Sequence, residues 1–303
     1  MSLVSFMRRP DVRQRPILST FRRLGMSLDR AVSPSRLHRE LITRFDGGVL
    51  AEVRLDNDIE RALYVYGWYE YVSSIVWTSL LRPGGTAGDV GANIGAFTLM
   101  AAARVGDRGT VHSFEPHPVN AARLQRNVEL NGFDHVVIHR VAVSDRGGEA
   151  VLHVPAGELA WGSLSRHEAG GDALAVQLCP LDSVFAEAGV RVDALKVDVE
   201  GHELEAFRGA ARTIEEQAPV VMFEVNAEEH EGAAAASSSA YLRDAGYRLF
   251  GMSCRRPGSW SLQEVMAGDD PMRFREDWVA LNLLACRPGS PLWDTVAARV
   301  ETV

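Results

Sequence analysis

Hydrophobic positions along the 303-residue chain change period several times, and each change marks a boundary between strand and helix. Leu41 to Leu55 alternates like a hairpin, with Asp46-Gly47-Gly48 at its turn. Val72, Ile75, Val76, Ser79 and Leu80 fall at helical spacing, and Pro83-Gly84-Gly85 stops that helix. A short strand, Thr86 to Val90, is followed by a helix through Ile94, Phe97, Ala101 and Val105, then by a strand from Thr110 to Phe114. Ala121, Leu124 and Val128 predict a helix ending near Asn131-Gly132, and Val136 to Val141 predicts a third strand. Ala150 to Val154 and Leu174 to Leu178 read as a hairpin-like pair around a polar loop that contains Trp161 and His167. A helix from Leu181 to Ala188 leads to a buried strand, Ala194 to Asp198. A helix through Leu204, Phe207 and Ala211 precedes a further strand, Val220 to Asn226.

Repeated β–α alternation of this kind predicts an α/β fold, with a parallel sheet and helices on both faces. The low-complexity stretch from Gly232 to Ala240 reads as a loop entering a helix at Tyr241 to Ala245. Arg248 to Gly251 and Trp278 to Ala285 are expected to finish the sheet as an antiparallel pair. No linker divides the chain into independent units. Residues 1–40 are expected to be a basic N-terminal extension, 41–85 a hairpin and helix leading into the core, and 86–303 the main domain. Tyr64, Tyr66, Trp68, Tyr69 and Tyr71 form an aromatic cluster that either packs or roofs a ligand.

Composition narrows the function classes. A net charge of −8 is the wrong sign for a general nucleic-acid binder, whose footprint is basic. No apolar run is long enough for a membrane span or signal peptide. Cys179, Cys254 and Cys286 share no metal-like spacing, so a cytoplasmic setting without disulfides is expected. Of 32 basic residues only Lys196 is a lysine, and it stands directly before Val197-Asp198-Val199-Glu200. Either coding bias left one lysine by chance, or a compact ammonium is needed where a guanidinium would not fit.

Candidate chemistry concentrates at two strand ends. After the Thr86–Val90 strand, Asp89-x-Gly91-x-Asn93-x-Gly95 makes a small-residue turn into a helix N-terminus. Glu115, at the end of the next strand, stands where a carboxylate takes the ribose hydroxyls of a nucleoside. The dinucleotide fingerprint has a different glycine spacing. An acidic residue before the glycines repels a pyrophosphate and receives an ammonium, which favours S-adenosylmethionine over NAD. Ala142 and Val143 follow the third strand, at the level of an adenine ring. The second cluster is Asp198, Glu200, His202 and Glu203. If the methyl acceptor is a hydroxyl, a base must take its proton. His202 is the natural candidate by its pKa, with Asp198 or Glu200 as the alternative or as the partner of the donor's ammonium. These carboxylates, with Glu224 and Asn226, also suit a divalent ion, but the spacing demands none and no metal is expected.

Asp89-Val-Gly-Ala-Asn-Ile-Gly95, Phe114-Glu-Pro116, Asn127 with Asn131-Gly132, Val141-Ala-Val-Ser-Asp145 and Leu195-Lys-Val-Asp-Val-Glu-Gly-His-Glu203, in this order, resemble the FkbM family of S-adenosylmethionine-dependent methyltransferases. The match spans roughly residues 58 to 230. The resemblance implies a Rossmann-like, seven-stranded, mostly parallel methyltransferase sheet, and O-methylation of a hydroxyl on a small natural product or saccharide. It also implies that Asp89, Gly91, Asn93 and Gly95 line the methionine end of the donor, Glu115 holds the ribose, Ala142 and Val143 flank the adenine, and Asp198 and Glu200 face the transfer site. Two other readings stay open: a nitrogen acceptor, and a donor-binding partner protein without catalysis. One departure is that Thr86-Ala87-Gly88 lacks the bulk expected of a central buried strand.

Overall fold

The computed structural model describes residues 40–154, 163–164, 171–225, 237–256, 259–269 and 281–301. The basic segment 1–39, Trp161, His167 and Asn226 therefore lie outside the described residues. The described residues open with the expected hairpin, β1 (Leu41–Phe45) and β2 (Val49–Val53), followed by helices α1 (Asp58–Tyr66) and α2 (Tyr71–Leu80). Helix α1 has no counterpart in the sequence-based expectations. Its start is set by Asn57, whose side chain accepts the Glu60 N–H as an N-cap.

The β–α repeat then runs β3 (Thr86–Val90), α3 (Ala96–Val105), β4 (Thr110–Phe114), α4 (Pro118–Asn131) and β5 (Val136–His139). A small side sheet follows, made of β6 (Ala142–Val143), β7 (Gly148–Val154) and β8 (Asp172–Cys179). The repeat resumes with α5 (Leu181–Ala188), β9 (Ala194–Val197), α6 (Glu203–Arg208) and β10 (Val220–Val225). It ends with α7 (Ser238–Asp244), β11 (Arg248–Arg256), β12 (Ser259–Val265), β13 (Leu281–Cys286) and α8 (Trp293–Ala297).

The central sheet has the order β12-β11-β13-β10-β9-β3-β4-β5. From β10 to β5 every pairing is parallel, and β13 joins β10 antiparallel, as does β11 to β13. Among the described residues this sheet has eight strands, one more than the expected seven. The additional strand is β12, which extends the edge by pairing antiparallel with β11. Connections run outward in opposite directions from β3 and β9. Open sheets of this type bind ligands at that reversal, outside the carboxyl ends of the strands.

The thin first strand has a local explanation. A Cβ on Gly88 would meet Leu195 Cδ1 at 2.7 Å, so the neighbouring strand supplies the bulk that β3 lacks. The hairpin is docked by side chains of α4. Asn131 accepts from Leu50 N and donates to Leu50 O, at 2.9 and 2.8 Å. Asn127 accepts from Glu52 N at 2.7 Å and donates to Ile94 O at 2.9 Å, which ties the hairpin to the turn after β3. A buried Glu60–Arg123 ion pair adds a second anchor between α1 and α4. Asn127 is fully buried, so Asn127→Ala is expected to cost about 1–3 kcal/mol by stranding a donor and an acceptor. A urea midpoint that does not move would contradict this docking.

Candidate active site

A cleft opens at the carboxyl ends of β3, β4 and β9. Its floor is the turn Gly91–Ile94, its sides are Phe114 to His117 and Val141 to Val143, and its far end is Lys196, Asp198, Val199 and Glu200. Tyr69 and Phe97 also line it. The turn is fixed by backbone bonds, because Gly91 N–H and Ala92 N–H both donate to Phe114 O at 3.0 Å. Gly91 adopts φ +78°, and a Cβ there would lie 1.8 Å from Asp198 O. Glycine is needed because the ends of β3 and β9 meet at that point. Asn93 stands at φ +53°, a region that asparagine tolerates better than most residues.

Glu115 is almost fully buried, and its carboxylate is already oriented. Asn93 N–H donates to Oε2 and His117 N–H to Oε1, each at 2.8 Å. Burial pushes its pKa up to about 7 despite those bonds and one from Asn120. Two backbone amides and the Asn120 side chain therefore hold the carboxylate, which has about four acceptor sites, so acceptor capacity remains for a hydroxyl donor on the cleft side.

At the other end, Lys196 lies on β9 with its Nζ 2.9 Å from Asp198 Oδ2, 4.0 Å from Asp89 Oδ1 and 4.7 Å from the centre of the Phe97 ring. Burial alone would lower its pKa, but Asp198, Asp89 and Glu70 outweigh burial and keep the ammonium charged. Asp89 is completely buried behind the cleft. Its Oδ2 accepts the Thr98 hydroxyl at 2.6 Å, and Oδ1 has no hydrogen-bond partner.

The turn after β9 is held by Glu203, whose Oε1 accepts from Val199 N and Gly201 N at 3.1 and 3.2 Å. Within this turn Glu200 adopts φ +54°, a strained value for a residue with a side chain. Acidic groups converge here. One carboxylate oxygen each from Asp198, Glu200 and Glu224 lie within 4.8 Å of one another. Burial first, and then the charge of Asp198, raises the pKa of both Glu70 and Glu224, Glu70 to about 7.

Among the residues expected at the site, Gly91, Asn93, Glu115, Ala142, Val143, Asp198 and Glu200 line the cleft together. Asp89 and Gly95 do not line it. Asp89 is placed to balance Lys196, and Gly95 caps α3 at φ +100°, where a Cβ would meet Leu124 Cδ1 at 2.5 Å. His202 also stands off the lining. Its Nε2 is 3.0 Å from Ser144 Oγ and its Nδ1 3.7 Å from Glu205 Oε2, and burial lowers its pKa. Glu70, inside the aromatic cluster, and Asn282 carry no motif of their own, yet their side chains join at 2.7 Å across 212 positions. Tyr69 was visible only as one member of the aromatic cluster.

Residues 89–249 match the family model described as the methyltransferase FkbM domain. The chain is 49% identical over 72 residues to the 31-O-demethyl-FK506 methyltransferase FkbM of Streptomyces tacrolimicus, covering 22% of this chain and 25% of that protein. Among solved structures it is similar to methyltransferase FkbM from Methylobacillus flagellatus, with 17% identity and TM-score 0.41 over 70% of this chain and 50% of that one. It is also similar to an S-adenosylmethionine-dependent O-methyltransferase from Thermotoga maritima, with 14% identity and TM-score 0.43 over 82% and 77% of the two chains. The chain thus spans only a quarter of the curated relative and half of the M. flagellatus protein. The matched domain occupies more than half of the chain and contains the cleft from Gly91 to Glu200, so the chain belongs to the FkbM methyltransferase family.

Proposed function

We propose that the cleft binds S-adenosylmethionine and that the enzyme methylates a hydroxyl of a small natural product or saccharide. The observation that carries this reading is the Glu115 carboxylate, fixed by two backbone amides and Asn120 at the end of β4, with acceptor capacity left toward the cleft for a vicinal diol. The apolar pair Ala142 and Val143 fits an adenine face, and Asp198 at the far end fits an ammonium group. Among the described residues the one Lys or Arg lining the cleft is Lys196, which is already neutralised by Asp198 and Asp89, so no free side-chain cation is left there for a pyrophosphate.

When bound, S-adenosylmethionine supplies an electrophilic methyl group. The protein's part is to align the acceptor oxygen with that methyl and to receive the hydroxyl proton as the new bond forms. Asp198 and Glu200 line the cleft and are the proton acceptors in this reading. His202 is a positioning residue, because Ser144 already occupies its Nε2 and it lies off the cleft lining.

Calorimetry on the purified protein is expected to show S-adenosylhomocysteine binding and no NAD binding. Label from methyl-tritiated S-adenosylmethionine should then appear on members of a panel of hydroxylated compounds. Label transferred only to amines, or to no compound despite donor binding, would overturn the hydroxyl assignment. With the acceptor so identified, His202→Ala should retain turnover within about tenfold, whereas loss of a general base costs on the order of a hundred- to ten-thousand-fold. A loss in that larger range, together with a vanished acidic limb in the pH profile, would restore His202 as the base.

A further inference from the structure

The acidic end of the cleft has more acceptors than the protein satisfies. Asp198, Glu200 and Glu224 each present one carboxylate oxygen within 4.8 Å of the other two. Three points so spaced lie at most about 2.8 Å from a common centre, so closure by a few tenths of an ångström reaches the oxygen-ligand distances of calcium or manganese. A group of carboxylates on a surface would mean little by itself, but here two half-buried carboxylates meet a buried one. Glu224 is only 5% exposed, and its Oε2 has no hydrogen-bond partner.

The adjoining strand gives an independent indication. Asn282 is the cross-strand partner of Glu224 in the β10–β13 ladder, so its side chain stands on the same face of the sheet. It is 6% exposed, and its amide nitrogen is committed to Glu70 Oε2 at 2.7 Å and Ser73 Oγ at 3.3 Å. Its Oδ1, like Glu70 Oε1, is buried without a partner. Every unmet group here is an acceptor. The nearby cation, Lys196, is engaged by Asp198 and Asp89. What is missing is therefore a positive charge with a preference for oxygen.

We propose that Asp198, Glu200 and Glu224 form a binding site for a hard divalent cation, with the Asn282 carbonyl oxygen beside Glu224 as a further ligand or a partner of its bound water. Carboxylate and carbonyl oxygens without a thiol select magnesium, manganese or calcium over zinc or copper. The site shares Asp198 and Glu200 with the proposed acceptor end. An ion there would stand beside the incoming hydroxyl, where a Lewis acid polarises oxygen.

The test uses manganese alone on the full chain, followed by electron paramagnetic resonance and calorimetry, with magnesium and calcium as competitors. One manganese per chain is expected, displaced by the competitors. Glu224→Gln should weaken that binding at least tenfold while leaving S-adenosylhomocysteine affinity unchanged, because Glu224 does not line the donor cleft. Should the buried variant fail to fold, Glu200→Gln serves for the cation reading alone and should likewise weaken manganese binding at least tenfold. Glu149→Gln, on the exposed face of β7, should change nothing. Absence of stoichiometric manganese binding at millimolar concentration, or equal binding by wild type and both carboxylate variants, would overturn the site. Loss of S-adenosylhomocysteine binding in wild type would instead strike at the donor reading and leave the cation result to stand by itself.

Discussion

Glu115→Ala is expected to weaken S-adenosylhomocysteine binding on the order of a hundred- to ten-thousand-fold. Each hydrogen bond from a ribose hydroxyl to an ionised carboxylate contributes about 1.5–3 kcal/mol, and the variant loses two. The backbone bonds from Asn93 and His117 preset the carboxylate, so little ordering cost offsets these contributions on binding. Glu115→Gln should fall in between, because its amide oxygen accepts but its nitrogen cannot. The same carboxylate sets a pH dependence. Burial raises its pKa to about 7 in the unliganded protein, while hydroxyl donors favour the ionised form. Binding therefore takes place to the deprotonated state. Affinity should rise with pH up to about 7 and level off above it, with proton release on binding near pH 6.5. Calorimetry in two buffers of different ionisation enthalpy reads that release. An unchanged affinity in Glu115→Ala, or an affinity flat from pH 6 to 8, would remove Glu115 from the ribose.

The second large effect concerns the single lysine. Lys196→Ala is expected to destabilise the fold by about 3–5 kcal/mol, because it leaves Asp89 buried and uncompensated and removes the partner of Asp198. Lys196→Arg keeps the charge but must fit a larger planar group where the ammonium is nearly inaccessible and packs over Phe97. Overpacking of that kind costs about 1–3 kcal/mol. Adding Asp89→Asn to Lys196→Ala should recover part of the loss, since the stranded charge is then gone. Equilibrium denaturation measures all three. A Lys196→Arg protein as stable as wild type would leave coding bias as the whole reason for the lysine.

The two strand ends that carry the cleft were legible in the sequence because their chemistry is local. Gly91, Asn93 and Glu115 fall within one β–α–β unit, and hydrophobic period alone places that unit at the carboxyl edge of the sheet. Asp89 is expected in the lining, but it is its neighbour Val90, one position on, that lines the cleft. Side chains on a strand face opposite sides in turn, and the Asp89 carboxylate meets Thr98 on α3, not the cleft. The sequence pattern marks Gly95 as strongly as Gly91, yet one glycine makes room for Leu124 and the other for the Asp198 backbone. In the sequence, His202 is marked out only by its intrinsic pKa. The reach of its ring across to Ser144, 58 positions earlier, depends on how β6 packs beside α6 and has no local signature. The Glu70–Asn282 contact was equally out of reach, because neither residue carries a motif and only the antiparallel entry of β13 beside β10 joins them. Strand β12 escaped for a different reason. Trp260, Leu262 and Val265 are buried, but the last interval breaks the alternation that would have marked the strand.

The most direct test of the account is a crystal structure of the full chain with S-adenosylhomocysteine. The ribose hydroxyls should lie within hydrogen-bond distance of the Glu115 carboxylate, the adenine against Ala142 and Val143, and the homocysteine end toward Asp198. A ligand bound outside this cleft, or bound in reverse with its adenine at Asp198, would contradict it.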